Sequence, residues 1–306
     1  MKQIKLEKIT DFEQRFNNES DCYEYLMEIK WGKGYRCLKC GHSVAVKGKK
    51  WYFKRCQKCQ YDESVTANTA FHKLKFSILT AFKIMVELSF RKKGVSAREI
   101  SRLYGINYDT AWLFKSKVMG QMHAKEKLDG LVHVDEFEIG GKTEGKPGRS
   151  HSGKRKVMIA LEIRKGKKRK NSRKPKATAG NIRLHQIYDY TQKTFEDFFS
   201  GTIQKQAEIE TDQFTSYKSL KQNWDISQYK STGKSFPLIH ANIMNIKSWI
   251  RGIHHKISSK HAQRYLNEFS FRFNRKMNLN SSFHSLLNCM ISGQGETRKM
   301  ICELNG

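Results

Sequence analysis

Three things are missing from this chain, and each absence narrows its class. It has no run of about 18 consecutive apolar residues, which excludes a helical membrane span. Its opening residues, MKQIKLEKITDFEQRF, lack the apolar centre of a secretory signal, so a cytoplasmic location is expected. Acidic residues are scarce as well: 29 Asp and Glu face 58 Lys and Arg, a formal charge of +29. No compact fold needs that excess, so a polyanionic partner is implied. Nucleic acid fits better than a membrane surface, because every phosphate neutralised by Lys or Arg releases a counterion and adds to affinity. What is present is length: 306 residues suffice for about two domains with a substantial core.

Seven cysteines occur, and four of them form the pairs Cys37-Leu-Lys-Cys40 and Cys56-Gln-Lys-Cys59. Two such knuckles at this separation match one tetrahedral four-cysteine zinc site. Gly41 and Gln60 follow the knuckles as turn residues, and HSVAVKGKKWYFKR between them alternates as a β-hairpin does. Four thiolates leave no open position for water, so the zinc is expected to be structural. Cytosolic thiols stay reduced, which argues against disulfides. Lys47, Lys49, Lys50, Lys54, Arg55 and Lys58, interleaved with Trp51, Tyr52 and Phe53, suit phosphate contact and base or sugar packing, although the aromatic trio equally suits a small ribbon core. Cys22, Cys289 and Cys302 lack knuckle spacing and are read as structural.

From residue 70 to 125 the pattern turns helical, with Phe76, Leu79, Phe82, Met85 and Leu88 at three-residue steps. In GVSAREISRLYGINYDTAWLFKSKV, Ser96 and Glu99 form a capping box, Ile100 and Leu103 supply a buried face, Gly105 gives a turn, and Asn107 opens a second helix. This is a helix-turn-helix pattern. Asn107, Tyr108, Thr110, Lys115 and Lys117 are its candidates for groove and phosphate contact.

After Gly130 the period returns to strands. LVHVDEFEIGG, KRKVMIALEIRK and NIRLHQIYDYT are followed by a helix, QKTFEDFFSGTI, and a fourth strand, AEIETDQFTSY, which gives the order β-β-β-α-β. Asp135 interrupts the first strand and Asp212 lies just past the fourth. If these strands are neighbours, the two carboxylates meet at one sheet edge and can hold Mg²⁺ for an in-line phosphoryl displacement. Alternation sends Glu136 to the face opposite Asp135, so the two are not expected to share a metal. Glu138 and Glu210 neighbour the proposed ligands, and Asp189 is read as structural.

These residues resemble the zinc-ribbon transposases of bacterial insertion sequences, whose core has the ribonuclease H-like fold. The resemblance spans nearly the whole chain: the double knuckle, SVTANTAFHKLK, VHVDEFEIGGK, ETDQFTSY and HANIMNIKSWIRGIHHKISSKHAQRYLNEFSFRFNRK. It implies an α/β ribonuclease H-like mixed-sheet core behind a zinc ribbon and a helix-turn-helix. It also implies metal-dependent DNA cleavage and strand transfer by a triad whose first members match Asp135 and Asp212, with Mg²⁺ or Mn²⁺ as cofactor. The third position, Glu in many relatives, is Asn245 here, and Glu268 is the alternative acid, with a salt bridge to Arg272 as its ordinary reading. Lys247 or Arg251 could hold a phosphate beside the metals. His240, His254, His255 and His261 lie near and are read mainly as hydrogen-bonding groups.

The expected organisation is a helical segment at 1–34, a ribbon at 35–66, the helix-turn-helix region at 67–127, the core at 128–280 with a basic insertion at 164–180, and a tail at 281–306. The insertion, RKGKKRKNSRKPKATAG, is too long for a hairpin loop and reads as a disordered or DNA-ordered arm, with a solvated loop as its ordinary reading. The expected partners are double-stranded DNA, both element ends and target, and further copies of the chain, in a nucleoid-associated setting. A regulator without chemistry, or a nuclease of the same fold, is the alternative.

Overall fold

The computed structural model describes residues 9–91, 93–124, 126–140, 154–166, 177–230, 232, 235–254, 257–275 and 279–303. The described residues up to Met122, together with those from Arg275 onward, make one unit; His123–Asn274 make the other.

The first unit begins with α1 (Ile9–Arg15) and α2 (Glu19–Trp31). Between them Asn18 accepts from the Asp21 N–H while the Asp21 carboxylate accepts from the Asn18 N–H, so two orphan donors of the helix start are satisfied reciprocally. A small antiparallel sheet follows, β1 (Ala45–Lys47), β2 (Phe53–Cys56) and β3 (Asp62–Ser64). Then come α3 (Ile78–Phe90), α4 (Ala97–Tyr104) and α5 (Tyr108–Gln121). Helix α3 starts later than the apolar spacing suggests, because the Ser77 side chain caps it by accepting from Thr80 N–H; Phe76 stays outside while Phe82, Met85 and Leu88 are buried.

The second unit is built on a five-stranded sheet: β4 (Leu131–Ile139), β5 (Arg155–Lys165), β6 (Ala177–Ile187), β7 (Glu208–Thr211) and β8 (Ile226–Gln228), in the order β6-β5-β4-β7-β8. β6, β5 and β4 pair antiparallel, whereas β4, β7 and β8 pair parallel. This mixed sheet has ribonuclease H-like order, and the expected β-β-β-α-β succession is present in it. The strand β8 escapes the sequence pattern because three residues carry no readable alternation. α6 (Gln192–Thr202) covers one face, burying Phe195, Phe198 and Phe199 against Val132, Val134 and Ile209. α7 (Pro237–His254) and α8 (Ala262–Asn274) cover the other, with Ile239, Ile243, Ile246 and Leu266 against Phe137, Ile159 and Ile182. With both faces buried, the middle of β5, Val157–Leu161, is a continuous apolar run, whereas β4 carries polar side chains between its buried ones.

The basic insertion is shorter than its composition suggests. β5 runs on to Lys165 and β6 begins at Ala177, so both ends of the 164–180 stretch are paired strand, and residues 167–176 lie outside the described residues.

Residues 281–306, expected as a tail, carry helices instead. α9 (Leu279–Ser292) packs against α2, α3 and α5, and α10 (Arg298–Cys302) lies against α5. Phe283 of α9 completes an aromatic cluster with Phe12, Phe16 and Phe82, so the last helices close the core begun by the first. Among the described residues no helix is long and apolar enough to cross a membrane.

Candidate metal centres

Two groups of metal-ligating side chains form among the described residues: Cys37, Cys40, Cys56 and Cys59, and Asp135, Glu136 and Asp212. The cysteine group is built from two copies of one turn. Cys37 N–H donates to His42 O and Gly41 N–H returns to Cys37 O; likewise Cys56 N–H donates to Tyr61 O and Gln60 N–H returns to Cys56 O. The turn needs a left-handed residue at its fourth step, filled by Gly41 at φ +73° and by Gln60 at φ +56°. The sulfurs of Cys37 and Cys59, and those of Cys40 and Cys56, lie 3.6 Å apart. Four sulfurs at 2.3 Å from one zinc would stand about 3.8 Å from each other, so the cluster fits a tetrahedral ion. Behind it the buried Glu63 of β3 meets Lys30 of α2 at 2.9 Å, and Tyr52 stacks on Tyr23 at 4.1 Å, which makes part of the aromatic trio a packing surface. Among the remaining cysteines, burial pushes the Cys22 thiol up to about 12, which leaves it inert.

The helical pair α4–α5 forms with its expected punctuation: Ser96 accepts from Glu99 N–H, Gly105 turns at φ +62°, and Asn107 accepts from Asp109 N–H. Tyr108 is exposed beside the Arg98 guanidinium, and Thr110 is half-buried. Lys115 must be removed from the contact residues. Only 2 % exposed, it donates from Nζ to Val95 O at 2.6 Å, inside the unit. Lys117 is buried likewise, on His72 O at 2.8 Å, and burial lowers its pKa. Phe114–Met119 of α5 are buried all round the helix, so both lysines are internal although they point to different sides, and their ammonium groups close loops.

The acidic group follows from register. The parallel pairs Leu131/Glu208, Val132/Ile209 and His133/Glu210 share one offset, the same that separates Asp135 from Asp212. Adjacent strands therefore deliver the two carboxylates side by side. Asp135 Oδ1 accepts from Glu136 N–H at 2.8 Å, and its Oδ2 lies 3.3 Å from His240 Nε2 of α7. Asp212 Oδ1 accepts from Phe214 N–H at 3.0 Å, while Gln228 Nε2 donates to the Asp212 and Phe214 carbonyls and fixes the turn. Glu136, expected to point away, is the third member: one ligand atom from each of the three residues lies within 4.8 Å of the others. Its side chain starts on the α6 face, where Tyr217 OH donates to Oε2 at 2.7 Å, yet it still comes within reach of the other two. Three oxygen donors at this separation suit a hard divalent cation.

Within this frame, residues 127–274 match the model of the ISXO2-like transposase domain. The second unit is a transposase domain of that family. A comparison with curated proteins finds no match.

On α7 of the transposase domain, His240, Lys247 and Arg251 succeed one another at seven and four residues, which sets them along one side of the helix. Lys247 Nζ rests 5.5 Å from the Phe137 ring, and burial lowers its pKa against the opposing pull of Glu138. Asn245 is exposed and, five residues from His240, lies about 140° round the helix from it. Glu268 is absent from the acidic group. It is fully buried on α8, 3.7 Å from Arg272 Nη1, the ordinary reading of that pair. His254 packs between Trp249 and Tyr265, burial lowers the pKa of His261, and His255 lies outside the described residues. Asp189 accepts from Thr191 and Thr194 at the start of α6, a structural cap. Glu138 is held by Tyr190 OH at 3.2 Å and Lys154 at 3.6 Å, and Glu210 meets His133 Nε2 at 2.9 Å, so both flank the group with partners of their own.

The sequence carried a signal for Glu136. Val132 and Val134 share its parity on β4, so a carboxylate at 136 interrupts a buried face and requires a partner.

Proposed function

We propose that this chain is a DNA transposase that binds the terminal inverted repeats of an insertion sequence and cuts and rejoins DNA at the Asp135–Glu136–Asp212 group. The observation that carries the reading is the meeting of three carboxylates at the end of a parallel strand pair inside a transposase domain. What a bound Mg²⁺ or Mn²⁺ supplies there is activation of the attacking water or 3′-hydroxyl and neutralisation of the leaving oxygen. Asp135 and Asp212 are the principal ligands, each pre-set by a backbone N–H. Glu136 takes the third position, in place of Asn245 or Glu268. His240 orients Asp135, and Lys247 and Arg251 on the same side of α7 hold the DNA phosphate. A structural zinc in the four-cysteine ribbon, with Asn107, Tyr108 and Thr110 at the start of α5, provides the end-recognition surface. Holding two ends together calls for at least two copies of the chain.

The test is strand cleavage and joining on DNA carrying the element's ends, with Mg²⁺ or Mn²⁺ supplied. Asp135→Asn and Asp212→Asn are expected to abolish both reactions while end binding persists. Full activity in both variants would remove the proposal, and cleavage without joining in the unaltered chain would reduce it to a nuclease.

A further inference from the structure

Glu136 poses a problem that the rest of the acidic group does not. Its neighbours on the same face of β4, Val132 and Val134, lie in a core made of Phe195, Phe199, Leu220 and Tyr217, and Glu136 itself is 9 % exposed. An ionised carboxylate there is costly unless a donor meets it. Tyr217 is such a donor: its hydroxyl reaches Oε2 at 2.7 Å, within the short range of charge-assisted O–H···O⁻ bonds.

The tyrosine is well anchored for that task. Its side chain is fully buried, with its ring 4.9 Å from Phe195 and 6.2 Å from Phe199 and from Phe214. Apolar packing therefore sets where the hydroxyl points. The same short segment also carries Asp212, since Phe214 N–H donates to Asp212 Oδ1 and Tyr217 N–H donates to Phe214 O.

We infer that Tyr217 is a positioning residue for the metal site: it clamps Glu136, holding that carboxylate turned towards Asp135 and Asp212. One five-residue step of sequence, Asp212 to Tyr217, thus delivers a ligand and the support of another ligand. The inference rests on the reading of the acidic group as a metal centre.

The experiment measures Mn²⁺ binding to the zinc-replete full chain, by electron paramagnetic resonance of the free ion, for Tyr217→Phe, Glu136→Gln and the double variant. Phenylalanine keeps every ring contact, so Tyr217→Phe is expected to melt close to the unaltered chain yet bind Mn²⁺ about 10–100-fold more weakly, as loss of an outer-shell partner does. The double variant should bind no more weakly than Glu136→Gln alone, because both changes remove one linked arrangement. Unaltered Mn²⁺ affinity in either single variant overturns the inference. So does a Tyr217→Phe chain that fails to fold while Glu136→Gln folds, since the tyrosine would then be structural. Asp135→Asn and Asp212→Asn in the same assay separate the two readings: if they too bind Mn²⁺ normally, the metal centre itself is wrong.

Discussion

Lys115 shows how one residue changes meaning with its surroundings. On α5 of a strongly basic chain it counts as a phosphate contact, yet its ammonium lies buried on the Val95 carbonyl. Lys115→Ala should leave that carbonyl unpaired and open a small cavity, costing about 2–4 kcal/mol. A thermal melt is expected to show an earlier transition for the first unit, with DNA affinity of the folded protein unchanged. Weaker DNA binding at an unchanged melting temperature would return Lys115 to the contact surface. Glu136 is the opposite case: strand parity excluded it from the acidic group, and the reach of a two-methylene side chain brought it in. Residue type was legible in both places. Which atoms surround it was not.

At the scale of elements, local chemistry was the most readable. The two knuckles specify their own backbone, down to the left-handed residue after each one, and Ser96, Gly105 and Asn107 punctuate α4 and α5 as their side chains require. The ribbon strands are only three or four residues long and enclose little apolar surface. Their order should therefore depend on the ion that four thiolates hold. Cys40→Ser is expected to lower zinc content from about one per chain and to open the ribbon to trypsin at Arg36, Lys47 and Lys58, while the transposase domain melts as before. A full complement of zinc in that variant would sink the four-cysteine assignment. Strand β8 and the early start of β6 were illegible for a different reason: three-residue strands and strands within basic runs take their pairing from neighbours already in the sheet.

For the whole molecule the governing quantity is charge. With a formal +29 the chain should hold DNA largely through phosphates, and association should weaken steeply with salt. If about 6–10 phosphates are contacted, affinity is expected to fall by about 10³–10⁵-fold between 50 and 200 mM salt. Fluorescence anisotropy across that range provides the check, and a flat response would remove the polyanion argument. The division into units also belongs to this scale. Phe283 joins Phe12, Phe16 and Phe82 from the far end of the sequence, so the first unit encloses a core assembled from both ends of the chain.

The sequence by itself determined the ribbon, the helical punctuation, the succession of long strands and the pair Asp135 and Asp212. Each rests on spacing, capping or alternation within a few residues, where backbone geometry leaves few choices. Only the tertiary structure decided that α9 and α10 are no tail, that Lys115 is internal, and that Glu136 with its clamp Tyr217 joins the acidic group. These depend on register between distant strands and on which side chains share a buried space, and no local period encodes either.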